Sequence, residues 1–182
     1  MRGTMDHDSY QDSYIAGILQ EAQGFALVGA SANTVRPSYF VLKYLLAKGY
    51  RVFPINPGLA GGEILGRKAF ASIAALTEPV DVVDVFRNSE AALGIVKEAL
   101  EHKDRLGIKA VWMQLSVRND EAARLAEEAG LKVVMNRCPK IEYGRLSGEI
   151  AWAGVNSRMI SSKKPFIPGK GYQQLSIRKE KP

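Results

Sequence analysis

The sequence is poor in the residues that build disulfides, histidine sites and membrane spans. Its 182 residues include one cysteine, Cys138, so no disulfide can form within the chain, which fits a reducing, cytoplasmic compartment. The two histidines, His7 and His102, do not follow predicted strands, which argues against a histidine triad or a zinc site. No apolar run approaches the ~20 residues of a membrane-spanning helix. The polar, acidic start of the chain is unlike a signal peptide.

The net charge of +6 is concentrated at one end of the chain. From Arg158 onward, seven Lys or Arg stand against one Glu, so this tail carries the whole net charge and residues 1–157 are neutral. A basic folded face of the kind that binds nucleic acid is therefore not expected. The pattern divides the chain into a disordered N-terminus (1–12), one folded domain (13–146) and a basic C-terminal extension (147–182).

Short apolar runs alternate with amphipathic stretches along the folded domain. Strands are predicted at residues 25–28, 50–55, 81–86, 110–113 and 131–135. Helices are predicted at residues 13–22, 37–48, 72–76 and 119–129, with another starting at Asn88 or Ser89. This alternation predicts an α/β fold with right-handed crossovers: a single Rossmann-like domain whose five-stranded parallel sheet has helices on both faces. The expected strand order is 3-2-1-4-5. The helix at 37–48 is expected to bury Phe40, Val41, Tyr44 and Leu45.

One stretch combines a strand, a small-residue turn and a helix start. It reads Phe25-Ala-Leu-Val-Gly-Ala-Ser-Ala-Asn-Thr-Val-Arg-Pro-Ser38, with a turn at Gly29 and a favoured first-turn residue at Pro37. Such a turn aims helix N-terminal amides at a phosphate. Ser31 can donate a hydroxyl hydrogen bond there, and Arg36 adds a positive charge. A plain turn without a ligand is equally compatible with the loop alone.

The same loop lacks the features of a dinucleotide site. The fingerprint G-x-G-x-x-G needs three glycines, but Ser31 and Thr34 stand at the second and third positions. The acidic residue expected after the second strand is replaced by Asn56, followed by Pro57. NAD is therefore a weak interpretation, and an NAD(P)-binding oxidoreductase is kept as an alternative.

Ligands of such sheets bind beyond the carboxyl ends of the strands. Three arginines follow strands here, namely Arg36, Arg87 and Arg137, and no general base is evident. Gln114 lies two positions after Trp112, near a strand end, where it either contacts a ligand or satisfies loop backbone.

Two further residues near strand ends carry titratable groups. Asp84, between Val83 and Val85, is expected to be buried and hydrogen-bonded in a structural role. Cys138 lies in a loop where nearby positive charge could lower the pKa of its thiol, so a redox role is a second alternative.

Several short motifs occur together in a fixed order. They are Val28-Gly-Ala-Ser31 with Arg36-Pro-Ser38, Gly49-Tyr50 with Pro54-Ile-Asn-Pro57, Val83-Asp-Val-Phe-Arg87, Trp112-Met-Gln114, Ala129-Gly130 and Arg137-Cys-Pro-Lys-Ile-Glu142. The set spans about residues 24–146 and resembles the CoA-binding domain family. That family is similar in fold to the nucleotide-binding domain of the succinyl-CoA synthetase alpha subunit. One departure is Ser116, where the family usually has Gly. Because Ser adopts positive φ less readily, a differently shaped loop is expected.

The resemblance implies that coenzyme A, or an acyl-CoA, binds through its phosphorylated ADP part at the ends of the first three strands. The candidate binding residues are Gly29, Ala30, Ser31, Arg36, Pro37, Asn56, Pro57, Phe86, Arg87 and Gln114. No catalytic or metal-ligating residue is expected, so the chain is interpreted as a non-catalytic binding module or sensor. A homodimer is compatible with this interpretation. The alternatives are an NAD(P)-binding oxidoreductase and a redox regulator that uses Cys138.

Overall fold

The computed structural model describes residues 5–149. Most of the predicted basic extension, 147–182, lies outside the described residues. The helices are α1 (Asp12–Glu21), α2 (Pro37–Ala47), α3 (Ser89–Glu101), α4 (Lys103–Leu106), α5 (Asp120–Glu128) and α6 (Pro139–Leu146). The strands are β1 (Gly24–Val28), β2 (Arg51–Ile55), β3 (Glu63–Ile64), β4 (Arg67–Lys68), β5 (Val82–Val85), β6 (Ala110–Met113) and β7 (Lys132–Val134). Within residues 5–149, each helix is too short or too polar to cross a membrane.

Five of the strands form one parallel sheet in the order β2-β1-β5-β6-β7, while β3 and β4 form a separate hairpin. Helices cover both faces. On one face Val96 of α3 and Ala126 of α5 pack against the sheet, and on the other Leu19 of α1, Leu45 of α2 and Tyr143 of α6 do so. Short buried apolar strands between amphipathic helices produce this arrangement. The predicted α/β class, with five parallel strands and helices on both faces, is confirmed.

The strand order differs from the expected one. Counting the five predicted strands along the chain, the observed order is 2-1-3-4-5, and the expected 3-2-1-4-5 is wrong. The outer edge of β2 is already occupied: the Phe70 N–H donates to the Pro54 carbonyl (2.9 Å), and the Phe70 carbonyl accepts from Asn56 N–H (2.9 Å). The chain then crosses the sheet and enters β5 on the far side of β1. The point where strand order reverses therefore lies between β1 and β5, which is where ligands of such sheets bind.

The crossing segment contains no regular helix. The helix predicted at residues 72–76 is absent, and turns and bends replace it. Its two large apolar side chains, Ile73 and Leu76, are fully buried against the sheet. Burial of these two side chains anchors the segment without the backbone hydrogen bonds of a helix.

The buried face of α2 also differs from the predicted stripe. Val41 and Leu45 are buried as expected, but Phe40 is 50% exposed, and Leu42 takes its place in the core. The buried set begins at Ser38 and follows the i, i+3, i+4, i+7 spacing of a helix that packs one face. A small polar residue at the first position concealed this register in the sequence.

Residues 5–11, assigned from the sequence to a disordered N-terminus, lie against the outer edge of the sheet. The Tyr10 hydroxyl accepts from the Met135 N–H (2.8 Å). The Tyr14 hydroxyl, in α1, accepts from the Val133 N–H (2.9 Å) and donates to the Val133 carbonyl (3.1 Å). The two rings are stacked 5.9 Å apart. These hydrogen bonds attach the start of the described chain to β7.

Candidate functional site

Three strand ends meet at Gly29. Its N–H and that of Ala30 donate to the Ile55 carbonyl at the end of β2 (2.9 and 3.2 Å). Gly29 has φ of +93°, and a β-carbon at this position would lie 2.3 Å from the Phe86 carbonyl oxygen. Only glycine permits both the backbone conformation and this close approach. The structure thus brings the first loop against the end of β5, at the reversal point of the sheet.

Asn56 holds this loop in place. Its Nδ2 donates to the Ala30 carbonyl (2.7 Å), and its Oδ1 accepts from the Gly58 N–H (2.9 Å). Pro57 begins the short 3-10 turn that follows, Pro57–Leu59. Both ends of the Asn56 carboxamide are therefore engaged by backbone. Asn56 positions the loop, while Pro57 remains exposed at the edge.

The rest of the loop forms a tight turn that leads into α2. The Ser31 hydroxyl accepts from the Asn33 N–H (3.1 Å), and Asn33 Oδ1 accepts from the Val35 N–H (3.1 Å). The Asn33 carbonyl then accepts from the Arg36 N–H (3.0 Å), immediately before Pro37. The short polar side chains thus order the backbone that carries the predicted phosphate-binding residues.

The start of α2 has no side-chain cap. By contrast, α3 is capped by Asn88, which accepts from the Ala91 N–H, and α5 by Asn119, which accepts from the Ala122 N–H. The first N–H groups of a helix have no intrahelical partner, and the helix dipole favours an anion beside them. In α2, Pro37 has no N–H and the Tyr39 N–H donates to the Arg36 carbonyl (3.0 Å), so the Ser38 N–H and the helix dipole are what favour a phosphate here.

The three predicted arginines differ in their surroundings. Arg36 and Arg87 are exposed, and their guanidinium groups have no hydrogen bond or ion pair within residues 5–149. Arg137 instead donates to the carbonyls of Asn136 (2.8 Å) and Asp8 (3.2 Å), and lies 5.5 Å from the centre of the Tyr10 ring. Arg36 and Arg87 are thus available for a ligand, whereas Arg137 secures the N-terminal segment.

Gln114 lies at the same edge and is paired with a buried carboxyl group. Its Nε2 donates to both oxygens of Asp84 (2.8 and 3.1 Å); Gln114 is 5% exposed and Asp84 is fully buried. Burial raises the pKa of Asp84 to about 8, although the hydrogen bond from Gln114 acts in the opposite direction. The Gln114 backbone N–H donates to the Val85 carbonyl (3.3 Å), next to Phe86. The expected burial and hydrogen bonding of Asp84 are confirmed.

Cys138 precedes α6 and is 7% exposed. Burial raises the pKa of the Cys138 thiol, and the nearby Asp84 acts in the same direction. The N–H groups of Ile141 and Lys140 lower this pKa, but by less than burial raises it. The expected net lowering of this pKa by nearby positive charge is wrong, because burial outweighs the lowering effect of the Lys140 charge. Such a thiol is a poor nucleophile at neutral pH.

The helix α6 itself was not expected from the sequence. It starts at the carboxyl edge with Pro139 in its first turn and, like α2, has no side-chain cap. Only four of its residues are buried, Pro139, Glu142, Tyr143 and Gly144, so the apolar pattern is too weak to indicate a helix. The available signal was Pro139 itself, which stands after Cys138 as Pro37 stands after Arg36.

Ser116 adopts φ of +66°, the left-handed conformation that glycine favours. Its N–H donates to Asn136 Oδ1 (2.8 Å), which joins the loops that follow β6 and β7. The hydrogen bond from a neighbouring loop holds a non-glycine residue in a backbone conformation that costs energy.

Ser116→Gly is therefore expected to stabilise the protein by about 0.5–1 kcal/mol, since relief of the left-handed strain exceeds the added freedom of the unfolded chain. Urea denaturation measures the effect. Ser147→Gly is the matched control, because Ser147 has φ of −78° and gains nothing from glycine. A lower free energy of unfolding for Ser116→Gly would contradict the strain argument.

Comparison with known proteins adds independent information about this architecture. A family model described as a CoA binding domain matches residues 23–144. The chain is 36% identical over 129 residues to the uncharacterized protein YneT of Bacillus subtilis (strain 168), covering 71% of this chain and 91% of that protein.

Solved structures of similar sequence share this fold. A hypothetical protein from Pyrococcus horikoshii OT3 is 39% identical, with a TM-score of 0.70 over 80% of this chain and 99% of that one. A protein from Thermus thermophilus, cell-free ID.343, is 38% identical, with a TM-score of 0.69 over 75% and 99% of the two chains. The family match covers the sheet, the first loop and the ends of all five parallel strands. The chain therefore belongs to the CoA-binding domain family.

Proposed function

We propose that this chain binds coenzyme A, or an acyl-CoA, through the phosphorylated ADP moiety, as a non-catalytic binding module or sensor. One observation carries the proposal. At the reversal point of the sheet, the uncapped start of α2 lies in the same loop region as Arg36, and Arg87 follows the adjoining strand. Neither guanidinium group is engaged within residues 5–149.

The charge pattern of this edge favours a polyphosphorylated ligand. Coenzyme A carries a pyrophosphate and a 3′-phosphate, and the Ser38 N–H, the positive end of the α2 dipole and two free arginines offer matching donors and positive charge. The remaining predicted binding residues have supporting roles: Gly29 and Phe86 fix the approach of two strands, and Asn56 holds the Ala30 carbonyl.

The same edge is poorly suited to NAD. A dinucleotide site holds the ribose hydroxyl groups with a carboxylate after the second strand. Here that position is Asn56, and both ends of its carboxamide are hydrogen-bonded to backbone. The 3′-phosphate, which NAD lacks, is expected to be a main determinant of affinity.

Calorimetric titration with coenzyme A, dephospho-CoA and NAD at one ionic strength tests the proposal. We expect affinity to fall in that order, with dephospho-CoA about tenfold or more below coenzyme A, because one charge-assisted hydrogen bond contributes about 1.5–3 kcal/mol. Native mass spectrometry of the purified protein would show whether coenzyme A, an acyl-CoA or another ligand co-purifies.

Tighter binding of NAD than of coenzyme A would overturn the proposal in favour of the oxidoreductase alternative. Equal affinities for coenzyme A and dephospho-CoA would show that the 3′-phosphate does not contribute to binding. A mixed disulfide at Cys138 after treatment with CoA disulfide, absent from Cys138→Ser, would instead favour the redox regulator.

A further inference from the structure

Asp84 is the only fully buried carboxyl group within residues 5–149, and among those residues only the side chain of Gln114 hydrogen-bonds to it. Both hydrogen bonds come from one atom of Gln114, Nε2. Its other polar atom, Oε1, has no hydrogen-bond partner within residues 5–149. No buried, solvent-sealed side-chain atom among those residues lacks a partner, so Oε1 must be reachable by solvent.

The ionisation state of Asp84 controls how the Gln114 amide can be oriented. A carboxylate only accepts hydrogen bonds, so it requires Nε2 to face inward and leaves Oε1 facing away from the buried carboxylate. A protonated carboxyl group, like the side chain of asparagine, also carries a donor, which permits the reversed amide. The charge of the carboxyl group at this position thus influences whether Oε1 or Nε2 of Gln114 faces outward.

We propose that Asp84 is a positioning residue whose carboxylate turns Gln114 so that Oε1 accepts a hydrogen bond from an N–H group of the bound ligand. The inference rests on the proposed function. Coenzyme A offers two sources of this one chemistry, the adenine amine and the amides of its pantetheine arm. The backbone hydrogen bond from Gln114 to Val85 places the amide beside the end of β5, at the proposed site.

The proposal predicts that ligand binding is linked to a proton. Burial keeps Asp84 largely protonated at pH 7.5, so a ligand that selects the ionised carboxylate must release a proton. Its neighbours in the sheet, Leu27 and Trp112, do not titrate there. The other titratable group that acts on it is the thiol of Cys138, whose raised pKa keeps it neutral at this pH.

Calorimetric titration of coenzyme A at pH 7.5, in HEPES and in Tris, counts this proton from the difference in apparent enthalpy. The unmodified protein should release more protons than Asp84→Asn, by roughly three-quarters of a proton per ligand bound. Proton exchange by the ligand's own phosphates is common to both proteins and cancels in this difference. Asp84→Asn should bind about three- to tenfold more weakly. Asp104→Asn, at a fully exposed carboxyl group on α4, is the matched control and should change neither quantity.

Gln114→Met keeps the shape of the side chain and removes its polar atoms. It should weaken coenzyme A binding about five- to tenfold, the value of one neutral hydrogen bond, and abolish the extra proton. Gln20→Met, at an exposed position on α1, is its control. If Gln114→Met fails to fold, the number of protons released on binding by Asp84→Asn, compared with the unmodified protein, still tests the proposal.

Adenosine 3′,5′-bisphosphate distinguishes the two sources of the N–H group. A loss of affinity in Gln114→Met for this compound as well as for coenzyme A assigns the donor to adenine, and a loss for coenzyme A alone assigns it to the pantetheine arm. Unchanged affinity and an unchanged proton count in both variants would overturn the inference while leaving the proposed function intact. Failure of the unmodified protein to bind coenzyme A would remove both.

Discussion

Arg36→Ala is expected to weaken coenzyme A binding by about ten- to a hundredfold. The residue precedes the uncapped start of α2, and its guanidinium group has no partner within residues 5–149. Placed against a phosphate, it would make a charge-assisted hydrogen bond that contributes about 1.5–3 kcal/mol to the binding free energy. Stability without ligand should change little, since the side chain is exposed. Calorimetric titration and thermal unfolding measure the two effects on one preparation.

A second arginine provides the control. Arg51 is the first residue of β2 and so lies at the amino ends of the parallel strands, away from the candidate site at their carboxyl ends. It pairs weakly with Glu78 (3.4 Å), and Arg51→Ala should leave coenzyme A affinity unchanged. If Arg36 contacts the 3′-phosphate, its removal should cost nothing with dephospho-CoA. If Arg36→Ala is silent with coenzyme A, the cation must be Arg87, because Arg137 is engaged with Asp8 and Asn136.

Asp84→Asn is expected to stabilise the folded protein at neutral and alkaline pH. The carboxyl group has an ordinary pKa of 3.8 and a folded-state pKa of about 8, so ionising it in the folded protein costs on the order of 5 kcal/mol. Asparagine carries no charge to bury and can still accept from Gln114 Nε2. Its own donor must be satisfied at some cost, so the net gain should be about 2–4 kcal/mol.

The sign of the pH dependence follows from proton binding. Between pH 4 and 8 the unfolded protein has lost the Asp84 proton and the folded protein has retained it, so the free energy of unfolding falls as pH rises. This contribution is absent below pH 4 and reaches its full size above pH 8. The stability difference between Asp84→Asn and the unmodified protein should therefore rise from slightly negative at pH 4, where only the cost of the extra donor acts, to its maximum near pH 9.

Urea denaturation across this range measures the difference, with Asp104→Asn as a control at an exposed carboxyl group. The Cys138 thiol acts on Asp84 as well, and Cys138→Ser in both backgrounds separates its titration from that of Asp84. A stability difference that does not vary with pH would show that Asp84 is not protonated in the folded protein. Lower stability of Asp84→Asn at every pH would show that Asn cannot satisfy the site.

The strands and main helices were predictable because each depends on local pattern. The buried run that forms β1, the Asn88 cap of α3 and the stop at Gly130 all signal their structure within a few neighbouring residues. The strand order was not predictable in this way. It depends on Phe70 taking the edge of β2, a contact between distant backbone groups that no local periodicity records.

The candidate site was likewise predictable from the sequence only in part. Gly29 indicates a turn and Pro37 indicates a helix start, so the position of the loop could be predicted from the sequence. Which arginines remain free could not, because the engagement of Arg137 depends on Asp8, 129 positions away in the chain. The pairing of Asp84 with Gln114 likewise joins different strands. Its separate members were visible in the sequence, but their contact was not.

The two outer strands of the sheet determine how copies of this protein can associate. On β7, the Tyr14 hydroxyl occupies both the N–H and the carbonyl of Val133, and directly after β7 the Tyr10 hydroxyl occupies the Met135 N–H. On β2, Pro54 offers no N–H, and Phe70 takes its carbonyl. An exposed edge strand is a template for edge-to-edge pairing and aggregation. Tyrosine hydroxyls thus occupy the outer edge of β7, and Pro54 and Phe70 occupy part of the outer edge of β2, which disfavours pairing of two copies through these strands.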